Sequence, residues 1–419
     1  MKSKAKFFTC VGSVACLFSI LAATKLFGQT LDDAFNPDVT GGQGEVFTTL
    51  EQSTGQILVG GDFTSIAGGA RTNLARLNHN GTLDVAFTAN ANGNVRGFAE
   101  QADGKILLCG AFSKLAGQTR NGIARLNPDG SLDTDFHPAV LYSPNPSSTS
   151  VIGLALQTDG KILIGGFFTS VTGQPRANLA RLSSDGSLDA NFTNGTGGTV
   201  YDVKVLANAK VMVAGAFDTL AGQTRHGIGR LNADGSFDGS FTTPYPAANI
   251  LGMQVQADSK ILINGFSLYS ITGQVQNAVG RLNSDGSVDT DFRPHLDTGF
   301  APFQPEPYGY CLALQPDGKI LVGGLFANPG TNLTRLLPDG SVDATFHASA
   351  ERDVRTLTIQ RDGNILVGGD FNTLDGITRH NLGRFFPDSP RRRSPSRPCK
   401  PTESLALAFP IPTGPPSQS

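Results

Sequence analysis

One motif, repeated seven times, decides what this chain can become. Its last segment begins at Leu31, Leu83, Leu132, Leu188, Phe237, Val288 and Val342, at intervals of 52, 49, 56, 49, 51 and 54 residues. Self-similarity at this period means a solenoid or a propeller, because each unit is one supersecondary element that buries its faces against its neighbours.

Residues 151–192 serve as the template. Ile152, Leu154 and Leu156 alternate with Val151, Gly153 and Ala155, the period of two expected of a strand. Asp159-Gly160 is a tight-turn signal, since such turns need residues that accept positive φ. Residues 161–166 read as a second, antiparallel strand. A loop over 169–177 leads to a third strand at 178–182, a turn at Asp185-Gly186, and a short fourth strand at 187–192. Each unit is therefore a four-stranded antiparallel meander. First strands are expected near Val46, Val95, Val151, Val200, Ile250, Tyr310 and Val354.

The phase of the repeat is informative. The chain opens with a lone fourth strand at 31–35 and ends its pattern with three strands over 354–386. Joining the two closes a ring and leaves no sheet edge open to stray pairing. The predicted fold is all-β: a seven-bladed β-propeller of four-stranded antiparallel blades, its ring closed by strand 31–35 joining the last blade. That closure requires Asp32 beside Arg384.

The recurring grammar is LALQxDGKILVGGxF followed by GQxRxxLARLNxDGSLDxxF. Over residues 31–388 it resembles the delta-60 repeat, a β-propeller repeat of bacterial surface and secreted proteins. The resemblance implies a propeller and an exported location. It implies no activity. Three units depart from the pattern, with Thr54-Gly55, Asn208-Ala209 and Asp258-Ser259 where the others carry the first Asp-Gly.

The ends lie outside the repeat. Lys2, Lys4 and Lys6 precede an apolar run over 7–23, which reads as a secretory signal peptide over 1–28 without a clear cleavage site. An uncleaved anchor is the alternative. Residues 29–388 are the propeller. Residues 389–419 are rich in Pro, Ser and Arg and are expected to be disordered, either a basic contact patch or a truncated or frameshifted end.

Composition narrows the function. Gly is 51 of 419 residues and charged residues are 16%, against usual values of about 7% and about 25%, as turn-dense β structure requires. A net charge of −2 gives no footprint for nucleic acid. No second long apolar run suggests a membrane span once a signal is cleaved. Cys109, Cys311 and Cys399 are too scattered for a disulfide framework or a zinc site, and the first two read as packed core thiols. His79, His137, His226, His295, His347 and His380 form no HxH or HExxH spacing, and there is no P-loop or GxSxG elbow. No cofactor and no metal are expected.

Two charged positions recur in every unit. They pair as Arg76 with Asp84, Arg125 with Asp133, Arg181 with Asp189, Arg230 with Asp238, Arg281 with Asp289, Arg335 with Asp343, and Arg384 with Asp32. Identical placement in seven blades reads as one structural pair per blade, because a ligand site needs unlike groups converging on one pocket. Asn127, Asp129, Ser131 and Asp133 alternate as calcium ligands would, but the Gly stands at the fourth position and no Glu closes the loop. Hairpin turns explain the same residues.

Loop length breaks the symmetry. Two interblade loops on the face opposite the Asp-Gly turns are long. Loop 137–150 carries Tyr142. Loop 293–309 carries His295, Phe300, Phe303, Glu306 and Tyr308. These six are the candidate binding residues for a protein or glycan ligand, and packing of the loops onto their blades is the competing reading. Three functions remain open. The first is a secreted or surface-bound, monomeric binding scaffold. The second is a lyase-, lactonase- or glycosidase-type enzyme using acids such as Asp202, Glu306 and Asp353 at the channel mouth. The third is a structural surface repeat without a ligand.

Overall fold

The computed structural model describes residues 29–243, 249–266, 268, 278–294, 296, 307–327 and 330–387. The chain divides after Pro387, and the propeller lies before that division. The expected signal peptide and tail fall outside the described residues.

Seven antiparallel blades follow one another along the chain. Their first strands are Glu45–Glu51, Val95–Glu100, Ser150–Leu156, Thr199–Val205, Asn249–Val255, Tyr308–Leu314 and Val354–Ile359. Blades are numbered 1 to 7 in that order. Each first strand pairs with a second, such as Ile162–Phe167, and that with a third, such as Leu179–Leu182. The first strands pack on one another in ring order, with blade 7 against blade 1, so they line the central channel.

Second and third strands are buried on both faces. This is why their sequences, ILIGGF and LARL in blade 3, run apolar without strict alternation. The core is correspondingly divided into seven apolar clusters among the described residues, one per blade junction. One of them crosses the seam, with Leu366 and Leu382 of blade 7 against Phe35, Val46 and Val59.

The ring closes through the N-terminal segment. Leu31 bridges Phe385, the Asp32 N–H donates to Arg384 O at 2.8 Å, and the Phe386 N–H donates to Thr30 O at 2.9 Å. Arg384 Nη2 stands 2.6 Å from Asp32 Oδ2.

The fourth strand is shorter than its sequence suggests. In each blade it is a single bridged residue, as in Leu126 with Leu132 and Leu182 with Leu188. The following Asp ends it. Asp133 Oδ1 accepts from the Asp135 N–H at 3.2 Å, an Asx turn that bends the chain and sends Phe136 into the core.

The 169–177 loop also holds more order than expected. Ser170–Val171 and Gln174–Pro175 form a two-residue ribbon, and four other blades carry the same feature. Its turn places two successive residues at positive φ, 47° at Thr172 and 76° at Gly173, the geometry of a type I′ hairpin.

The recurrent Arg residues tie blade to blade. The Arg–Asp separations are 2.6–2.9 Å in all seven blades. Each guanidinium also lies 4.3–5.0 Å from the centre of the Phe ring that follows the Asp. Six of the seven then reach into the next blade among the described residues, as Arg76 Nη1 does to Pro128 O at 2.6 Å and Arg384 Nη1 to His79 O at 2.5 Å. The turn glycine of that next blade covers the ring: a Cβ on Gly130 would overlap Phe87. Buried pairs of this kind set arrangement more than net stability.

Candidate functional site

The site is built from a fault in the sheet. In every blade the pairing of first and second strands slips by one residue near the start of the first strand. The unpaired residues are Phe47, Arg96, Ile152 and Tyr201 in blades 1 to 4, then Leu251, Tyr310 and Arg355 in blades 5 to 7. A bulge re-aims the side chain of the extra residue. Here all seven line one cavity of about 510 Å³ at the end of the channel where the first strands begin, joined by Asp202, Phe266 and Tyr308.

A glycine makes the fault possible. A glycine near the end of each second strand, the second of a Gly-Gly pair in four of the blades, lies opposite each bulge. A Cβ on Gly61, Gly110 or Gly166 would overlap the backbone carbonyl oxygen of Glu45, Asn94 or Ser150. The close approach admits no side chain, and all seven blades keep that glycine.

The cavity has two unlike sides. Blades 7, 1 and 2 contribute Arg355, Phe47 and Arg96, with the Arg96 guanidinium 5.0 Å from the centre of the Phe47 ring. Blades 4 to 6 contribute Tyr201, Leu251 and Tyr310, with Phe266 and Tyr308 behind them. Tyr308 and Tyr310 stack at 6.0 Å, and Phe266 meets Tyr308 at 5.3 Å. Arg355 lies 4.5 Å from the Tyr310 ring centre and bridges the two sides.

The charges at the mouth are mostly spoken for. Arg355 Nη2 is 3.0 Å from Asp353 Oδ2 and 3.6 Å from Glu45 Oε1. Burial pushes both carboxyls up from the ordinary range, against the pull of Arg355, and the Asp370 charge adds to the rise. Asp202 Oδ2 accepts from the Met253 N–H at 2.9 Å, and its Oδ1 stands 3.2 Å from Lys204 Nζ. Arg96 differs. It has no hydrogen bond and no ion pair among the described residues, and although its side chain is exposed to the channel, desolvation by the walls and the charge of Arg355 lower its pKa.

The candidate residues divide. Tyr308 lines the cavity. Tyr142 does not: its ring stacks on Phe167 at 4.1 Å, and its N–H donates to Thr149 Oγ1 at 2.8 Å, so it packs loop 137–150 onto blade 3. His295, Phe300, Phe303 and Glu306 lie outside the described residues. Asp202 lines the cavity and Asp353 pairs with Arg355 beside it. A wider cavity of about 850 Å³ opens on the turn face between blades 3 and 4. Its Lys161 faces Asp189 at 3.3 Å and Asp159 at 3.7 Å. No cluster of three or more His, Cys, Asp or Glu side chains placed to hold a metal occurs among the described residues. Cys109 and Cys311 donate weakly to Ile152 O at 3.6 Å and Val354 O at 3.7 Å, and burial pushes the Cys109 thiol up to about 12.

The bulge residues are what sequence reasoning missed. The signal was present in the glycine that all seven second strands keep at Gly61, Gly110, Gly166, Gly215, Gly265, Gly324 and Gly369, which period-two patterning treats as an ordinary strand residue.

A family model of the DUF5122 β-propeller, a domain of unknown function, matches at residues 52–87, 101–136, 157–192, 207–241, 256–292, 315–346 and 360–389. The chain belongs to the DUF5122 β-propeller family. Its seven matched segments correspond to the seven blades. No protein of curated function matches the sequence. Among solved structures, a streptogramin B lyase is similar at 14% identity and a TM-score of 0.49, over 85% of this chain and 97% of that one. A gluconolactonase from Xanthomonas campestris is similar at 12% identity and 0.42, over 86% and 97%. The extracellular domain assigned to a one-component system of B. thetaiotaomicron is similar at 14% and 0.47. The match covers 84% of this chain but spans only 40% of that longer one. At these identities the likeness is one of fold. No helix among the described residues is long and apolar enough to cross a membrane.

Proposed function

We propose that this chain is an exported, monomeric ligand-binding propeller whose site is the cavity ringed by the seven bulge residues. One observation carries the reading. At the Arg–Asp positions all seven blades are identical, whereas at the bulge position they carry Phe, Arg, Ile, Tyr, Leu, Tyr and Arg. Repetition of one residue serves the architecture. Unlike residues converging on one cavity are what recognition needs. Tyr308, the first residue of the blade 6 first strand, lines the same cavity, and in this reading His295, Phe300, Phe303 and Glu306 of the preceding loop belong to the site, while loop 137–150 presents a second surface. The basic and apolar N-terminal segment and the delta-60 resemblance support export.

A thermal-shift screen of oligosaccharides on the purified chain tests this. A ligand at a hundred times its Kd adds about 2.7 kcal/mol of stability, which a melting curve resolves. The rise should vanish in Tyr201→Ala/Tyr310→Ala, and a rise unaltered by that pair of changes would refute a site at the mouth. A second reading, an acid-catalysing enzyme, is favoured by Glu45 and Asp353. Burial raises both carboxyls from their ordinary range, and a carboxyl shifted in that direction holds a proton it can donate. In that case turnover of the bound saccharide would be lost in Glu45→Gln or Asp353→Asn while binding persists.

A further inference from the structure

From the geometry of the channel mouth we infer that the cavity recognises a carboxylated sugar, with Arg96 holding the carboxylate and the tyrosine side receiving the ring. The inference rests on the binding reading above and names its ligand class.

The first ground is charge. Each charged group at the mouth other than Arg96 has a partner. Arg355 is shared by Asp353 and Glu45, and Asp202 is held by Lys204 and the Met253 N–H. Arg96 alone presents its donors to the cavity without an acceptor among the described residues, resting on the Phe47 ring at 5.0 Å. A guanidinium forms a planar fork that matches a carboxylate with two parallel hydrogen bonds. Channel walls that partly strip it of water strengthen such a bond.

The second ground is the opposite wall. Tyr201, Tyr308 and Tyr310 face the cavity, and none of their hydroxyls has a hydrogen-bond partner among the described residues. An aromatic side chain with a free hydroxyl offers an apolar face and a polar edge together. A pyranose ring offers the same two surfaces, a C–H face and a rim of hydroxyls. A cavity of about 510 Å³ lies within the range of small-molecule sites, roughly 300–1,000 Å³. An aromatic carboxylate shares the anionic end and the flat face but lacks the hydroxyl rim.

The test is calorimetric titration of the purified full chain with digalacturonate, with the neutral digalactoside and with benzoate. Digalacturonate should bind, the neutral sugar at least tenfold more weakly, and benzoate more weakly than digalacturonate. Arg96→Gln should weaken digalacturonate about ten- to a hundredfold, the range for a charged hydrogen bond, with an unchanged melting temperature. Tyr310→Phe should weaken both sugars and leave benzoate untouched. Equal binding of neutral and acidic sugars, with Arg96→Gln silent, would overturn the anionic anchor while leaving a sugar site in place. Tighter benzoate binding would overturn the sugar ring. No heat from any of the three would overturn the inference, and the wider screen described above would then decide separately whether the mouth binds anything.

Discussion

Gly110→Ala is the sharpest perturbation of the bulge in blade 2. The glycine sits opposite the fault that exposes Arg96, and a Cβ there would come within 2.0 Å of the Asn94 carbonyl oxygen. That oxygen belongs to the backbone and cannot rotate aside, so the cost should fall at the upper end of the overpacking range, about 3 kcal/mol. Gly117 in the same blade is the control. It has φ +78° and open space around its would-be Cβ, so Gly117→Ala costs only the left-handed backbone term, about 1–2 kcal/mol. Unfolding entropy of about 2.1 cal/mol/K per residue, taken over residues 29–387, makes each kcal/mol worth about 1.3 °C in Tm. Differential scanning calorimetry should therefore find Gly110→Ala lower by about 4 °C and Gly117→Ala by about 1–3 °C. A Gly110→Ala variant melting at or above Gly117→Ala would refute the claim that the bulge excludes a side chain.

Other consequences follow from the same contacts. Asp32→Ala should cost as much as Asp133→Ala, about 3–5 kcal/mol each, because both strand a buried Arg without its partner; chemical denaturation would expose an open ring as a much smaller loss at Asp32. At Asp84, Asp133, Asp189, Asp238, Asp289 and Asp343, burial alone would raise the carboxyls, but bonds from Arg, Lys or hydroxyl groups outweigh it and hold them low, with Asp343 at about 2. Folded pKa values below the unfolded value of about 3.9 mean that their stabilisation is complete above that pH and is lost as pH falls through the folded values; a pH series of melts should decline below about pH 4, and a flat profile down to pH 2 would contradict it. Ala209→Gly and Ser259→Gly relieve residues at φ 61° and 65° and should raise Tm by about 1 °C, the relief of about 1–2 kcal/mol being partly offset by chain entropy. Deleting 297–306, which keeps the buried Leu296 in its core cluster, should leave Tm nearly intact while reducing capture of a ligand at the mouth.

The architecture was legible because it is repetitive and apolar. The interval between LxxxF segments counted the blades, and the lone strand at 31–35 foretold the seam at Arg384. The fourth strand was overread because an Asp side chain that bends the chain after one bridge looks, in sequence, like the polar member of a strand. Four of the five small ribbons were underread because their turns are Ala-Gly or Thr-Gly, where an Asn-Gly or Asp-Gly pair, such as Asp375-Gly376 in blade 7, signals positive φ at both positions. The site was hidden for a similar reason. Phe47, Arg96, Tyr201 and their equivalents occupy ordinary strand positions, and only the pairing slip turns them into the channel. The long loops carry the more conspicuous aromatics, of which Tyr308, at the strand that follows, reaches the cavity and Tyr142 packs down on Phe167.

The recurrent Arg residues are sequestered between blades, whereas Arg96 is exposed at the channel mouth, where the proposed ligand would meet it. Phenylglyoxal modification of the native full chain, read by peptide mass spectrometry, tests that division directly. Arg96 should react in the native state, while Arg76, Arg125, Arg181, Arg230, Arg281, Arg335 and Arg384 should react only on unfolding. Modification of those seven at the rate of Arg96, or protection of Arg96 equal to theirs, would contradict the account.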